Sequence, residues 1–127
     1  PRDCIRRLET LVLFAGLDLP SKAIREQISS AIHIIVQQAR LSDGSRKVTQ
    51  ISELTGMEGQ TITLQDIFVY KQTGVDKDYK VQGRFQATGF VPKFVHQLKQ
   101  KGIELPRGIF APNSPGQTPT NIPRGRR

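Results

Sequence analysis

The chain has 127 residues, with 19 Lys and Arg against 11 Asp and Glu, for a formal net charge of +8 at pH 7. That length allows one domain, or a piece of a larger one, and it can bury a core without staples. A single cysteine, Cys4, excludes an internal disulfide and a cysteine-based zinc site, and fits a reducing compartment.

Residues 3–15 place Ile5, Leu8, Val12 and Ala15 at spacings of three and four, with Leu11 widening the stripe. This periodicity predicts an amphipathic helix started near Asp3 and stopped by Gly16. A second helix is expected from Pro20 or Ser21, with Ile24, Ile28 and Ala31 on its inner face. The β-branched run within residues 32–40 predicts a strand. Asp43-Gly44 then signals a hairpin, returning along Arg46–Leu54. Gly56 and Gly59 are expected to form the next turn.

Thr61–Tyr70 alternates apolar and polar positions, with a slip at Gln65-Asp66 that predicts a bulge or bend. Residues 72–80 read as a polar loop, and Val81–Ala87 as a short returning strand. Pro92–Lys101 predicts a short helix with Phe94, Val95 and Leu98 on one side, stopped by Gly102. Five Pro fall between positions 106 and 123, so residues 111–127 are expected to be a disordered basic tail.

The charge is uneven. From Pro1 to Leu105 there are 15 basic and 11 acidic residues, and from Pro106 onward four Arg and no acid. The longest apolar stretches, Leu11–Leu17 and Ile32–Val36, are far shorter than the ~20 residues of a membrane-spanning helix. No signal-peptide pattern opens the chain. The sequence begins at Pro1 and its one Met is Met57, so the chain is expected to be either processed or, the favoured reading, cut from a longer protein.

Chemistry-bearing motifs are few. No glycine is followed by Lys, so the GxxxxGK[S/T] phosphate loop is absent, as is GxGxxG. His33 and His96 stand alone without metal-ligand neighbours at helical spacing. Cys4 has no identifiable base partner. The informative residues are the arginines: Arg7 beside Glu9 in the first helix, and Arg40 and Arg46 flanking the Asp43-Gly44 turn. An Arg on a turn can pair bidentately with phosphate or carboxylate, and the alternative is a pair of solvated charges at a hairpin end.

In order along the chain stand Pro1-Arg2-Asp3, Arg7-Leu8-Glu9, the segment AIREQI at 23–28, the segment IVQQARL at 35–41, DGSRKV at 43–48, Glu53 and Gly56-Met57-Glu58-Gly59. TITLQDIFVYKQTG at 61–74, Gly83-Arg84-Phe85, Thr88-Gly89 and Gly102-Ile103-Glu104-Leu105-Pro106 follow. This series resembles the secretion ATPase superfamily, specifically its CpaF/TadA-type branch of Tad or Flp pilus-assembly ATPases, over residues 1 to about 110.

The resemblance implies an α/β fold: the carboxy-terminal portion of a RecA-like motor domain, with two amino-terminal helices, β-hairpins and a short carboxy-terminal helix. It implies a cytoplasmic, hexameric, ATP- and Mg-dependent motor at the inner-membrane face, working with secretion or pilus platform proteins. In that family the histidine box ends in a run like Pro1-Arg2-Asp3, so the nucleotide motifs would lie upstream. Hydrolysis by this segment alone is therefore not expected, since phosphoryl transfer needs a phosphate cradle, a Lys and a Mg²⁺ site.

By the same analogy Arg7, Glu9, Arg40, Arg46 and Glu53 match recurring positions of the family, with Arg7 and Arg46 as nucleotide-sensing or coupling candidates. The structural alternative is a salt-bridge set, Arg46 or Arg40 with Glu53, holding the hairpin. A different reading of the whole chain is a free-standing basic adaptor or nucleic-acid-binding module. Against specific nucleic-acid binding stand the small excess charge of the body, the absence of Trp, and the lack of RNA-binding or zinc patterns.

Overall fold

The computed structural model describes residues 1–106 and 108–112. The region expected to be a disordered tail lies, from residue 113 onward, outside the described residues. The elements are α1 (Arg2–Phe14), α2 (Ser21–Ala31), β1 (Ile34–Arg40), β2 (Arg46–Glu58), β3 (Thr61–Val75), β4 (Val81–Ala87) and α3 (Phe94–Gln100). The fold is mixed α/β: three helices and one four-stranded antiparallel sheet in the meander order β1-β2-β3-β4.

The two amino-terminal helices form where the 3.6-residue pattern predicts. Gly16 follows α1 at φ 75, the left-handed conformation that ends a helix without a Cβ clash. Ile5 from α1, Ile24 and Ile28 from α2, and Leu54 and Ile62 from the sheet form the buried core. Leu8, Val12, Ile35, Met57 and Leu64 pack around it. Ala15 and Ala31, expected on inner faces, are exposed, because the core needs only the central stripe of each helix. Leu11 is also exposed, at 62%.

The strands run longer than their local sequence predicts. β2 continues through Gly56, which takes φ 141 at an irregularity where Leu54 pairs with Leu64 but Gly56 pairs with Thr63. Only Gly59 lies in the turn itself. β3 continues through the polar Gln72-Thr73-Gly74 to Val75, because β4 supplies backbone partners there, from Gln72↔Gly83 to Val75↔Val81. The loop is thereby reduced to residues 76–80. The slip at Gln65-Asp66 is a bulge: Ser52 pairs with Asp66 and Ile51 with Phe68, leaving Ile67 as the extra residue, 2% exposed.

Three consecutive residues of β2 are buried: Ser52, Glu53 and Leu54. Neighbouring side chains on a strand point to opposite faces, so with Leu54 in the helix-side core, Glu53 points the other way. There its carboxylate accepts the backbone N–H of Lys93, at 3.1 and 3.0 Å to its two oxygens. The Lys93 ammonium donates to the Thr55 carbonyl at 2.7 Å. These bonds fix the segment leading into α3 against β2. A buried carboxylate is tolerable only with such donors. Glu53→Ala is expected to destabilise the chain by about 1–3 kcal/mol, the cost of stranding a buried polar partner. Urea unfolding checks this, and an unchanged midpoint contradicts it.

Candidate functional site

The residues singled out from the sequence fall into three places. On α1, Arg7 is exposed and lines a groove with Leu8, Leu11, Ile35 and Val36. Glu9, two residues on, turns toward α2, where the Arg25 guanidinium donates to it at 2.8 Å. This is the one ion pair among the described residues. Arg25 also donates to the Gln60 carbonyl at 3.0 Å, so one side chain joins α1, α2 and the β2–β3 turn. Around it lies a cleft of about 180 Å³ lined by Arg2, Arg6, Glu9, Arg25 and Gln60, with Ile5 and Ile62 at its floor.

Arg40 and Arg46 lie at the other end of the sheet. They are directly opposed in the β1–β2 register, and both are exposed. Glu53 does not meet them. It pairs in register with Ile34, at the far end of the hairpin, and its carboxylate faces Lys93. The alternative salt bridge from Arg40 or Arg46 to Glu53 does not form; the Glu53 carboxylate instead accepts a backbone N–H from a residue 40 positions away. Hairpin register decides this, because the two arginines and Glu53 sit at opposite ends of the paired segment.

Asp43, read in the sequence as a turn former, does more. Its carboxylate accepts the Ser45 amide at 2.9 Å and the Ser45 hydroxyl at 2.5 Å, an Asx-type closure of the turn. Its other oxygen accepts the backbone N–H of Val81 at 2.8 Å. The turn between β1 and β2 is thereby tied to the start of β4. The Ser45 hydroxyl, then the Val81 and Ser45 amides, favour the ionised form and lower its pKa from 3.8 to about 2.

A second polar cluster was not visible in the sequence. Asp66 accepts Gln50 Nε2 at 2.6 Å and the fully buried Ser52 hydroxyl at 2.7 Å. It lines a cleft with Arg2, Asp3 and Thr88. Its only sequence signal was the slip in alternation at Gln65-Asp66. Arg25 had a clearer one, inside AIREQI, but its partner Glu9 stands 16 residues away.

The sequence has no phosphate loop. Among the described residues no group of three or more His, Cys, Asp or Glu side chains is placed to hold a metal ion. The Glu9 oxygen in the arginine cleft is taken up by Arg25. The histidines and Cys4 are exposed. What the arrangement offers is a cation-lined cleft at Arg2, Arg6 and Arg25. No helix among the described residues is long and apolar enough to cross a membrane. Compared with known proteins, the sequence matches no protein-family model and no curated protein.

The Asp43 pKa carries a pH prediction. A lowered carboxylate pKa contributes stability that is present above 3.8 and lost as pH falls through about 2. Acid titration of unfolding stability over this window should therefore fall more steeply for the natural chain than for Asp43→Asn. Parallel curves contradict the assignment.

Proposed function

We propose that the chain is the carboxy-terminal portion of a RecA-like secretion or Tad/Flp pilus-assembly motor, serving subunit packing and coupling rather than phosphate binding. The observation that supports the reading is the ordered series of motifs from Pro1-Arg2-Asp3 to Leu105-Pro106, which resembles that family. The fold supports it in one respect: motif residues hold the structural joints. Glu9 and the Arg25 of AIREQI form the ion pair between the first two helices. Asp43 of DGSRKV closes a turn and reaches β4, and Glu53 anchors Lys93.

In the intact motor the parent would bind ATP and Mg through residues upstream, assemble as a hexameric ring and work with platform proteins at the cytoplasmic face of the inner membrane. Coupling requires packed elements between the nucleotide and the subunit interface. α1 would directly follow the histidine box, so it is the element to carry that signal. Arg7 is exposed on it, free to meet a neighbouring acidic group, whereas Glu9 is held by Arg25.

The test is Arg7→Ala in the intact parent. ATP turnover or its coupling to export is expected to fall roughly 2- to 30-fold, the range set by ~0.5–2 kcal/mol of coupling energy. Unchanged turnover together with unchanged export overturns the role.

A further inference from the structure

On α1, Arg2, Arg6 and Glu9 follow one another at spacings of four and three, so their side chains share one face of the helix. Two cations one turn apart repel each other and weaken a helix. Glu9 stands three residues from Arg6, near enough on the helix to neutralise it. Its carboxylate is instead taken by Arg25 from α2, at 2.8 Å. Neither Arg2 nor Arg6 has an ion-pair partner among the described residues. Arg2 also borders the neighbouring cleft of Asp3 and Asp66, but neither carboxylate comes within ion-pair distance of it.

Arg25 completes the set. Its guanidinium is fixed from two sides, by Glu9 and by the Gln60 carbonyl at 3.0 Å, and only part of its donor fork is spent on them. The cleft between α1, α2 and the β2–β3 turn therefore gathers three guanidinium groups against one carboxylate, an excess of two positive charges. Thr61 adds a hydroxyl to its lining. The floor is Ile5 and Ile62, 6% and 5% exposed. An apolar floor lowers the local dielectric and strengthens whatever pairs with the cations above it.

We infer that this cleft binds a phosphoryl group. Charge, geometry and size select that ligand. A phosphate monoester carries about −1.5 to −2 at pH 7, which matches the excess of two, whereas a single carboxylate would leave one cation uncompensated. Its oxygens accept from several Arg forks at once. At about 180 Å³ the cleft is smaller than the roughly 300–1,000 Å³ of pockets that enclose whole small molecules. It takes the phosphoryl end of a ligand and leaves any remainder outside. Free phosphate and the headgroup of an anionic lipid present this same chemistry. The cleft is built from this chain's own residues and uses no phosphate loop, so the inference goes beyond the motor reading and holds whether or not that reading does.

The experiment uses the full chain and a variant combining Arg2→Gln with Arg6→Gln, which leaves the Arg25–Glu9 pair in place. The variant loses a repulsion, so it should melt no lower than the natural chain. Calorimetric titration with inorganic phosphate, at an ionic strength held constant with chloride, should show binding to the natural chain. Binding to the variant should be at least about 10-fold weaker, as expected for loss of two charge-assisted partners. Lys71→Gln combined with Arg84→Gln, two exposed cations outside the cleft, should leave binding unchanged. Co-sedimentation with phosphatidic acid vesicles, against phosphatidylcholine alone, separates the two sources. Co-sedimentation that the cleft variant loses identifies a lipid headgroup, and phosphate binding without co-sedimentation identifies a soluble phosphate. The inference is overturned if neither phosphate nor the vesicles bind the natural chain. It is equally overturned if the two variants bind alike, which would reduce the effect to general positive charge.

Discussion

The architecture hangs on three buried residues in the middle of β2. Leu54 closes the core under α1 and α2. Glu53, on the other face, holds the backbone of Lys93. Ser52, fully buried, bonds Asp66 on β3. A strand with one greasy and two polar buried positions in a row is costly unless each polar group finds its partner. Here each does: Ser52 with Asp66 on β3, and Glu53 with Lys93 before α3. β2 is thus where the helices, the neighbouring strand and the segment before α3 are brought into register.

This arrangement divides the sheet along its length. One half is covered by helices and contains the apolar cluster. The other half is held by turn chemistry: Asp43 and Asp76 each cap backbone N–H groups at its tip. Gly83 belongs to the same economy of space. A Cβ there would come within 2.5 Å of the Lys71 carbonyl and the Tyr70 hydroxyl, so the β3–β4 ribbon can close over Tyr70 only with glycine at this position.

Features set by local sequence were legible before the structure. Val81–Ala87 and the start of the second helix follow from alternation and from Pro20-Ser21, which act over a few residues. The bulge at Ile67 announced itself as a phase slip. What was illegible depends on distant partners. Gln72-Thr73-Gly74 is strand because β4 pairs with it, and Gly56 is a strand irregularity because β3 runs alongside. The five site residues carried motif resemblance but no geometry. Glu53 was weighed as the salt-bridge partner of an arginine or as a coupling residue, yet its partner is a backbone amide 40 residues away, which no spacing rule reveals. The Arg25–Glu9 pair bridges two helices in the same way.

The functional account rests on the claim that this sheet-and-helix unit is the end of a nucleotide-driven motor whose phosphate loop precedes it. Reading the DNA immediately upstream of the Pro1 codon tests that claim most directly. The account predicts an open frame carrying GxxxxGK and a histidine-rich box that runs without interruption into Pro1-Arg2-Asp3. A stop codon or an unrelated frame at that point would contradict it and leave the chain as a binding module without a motor.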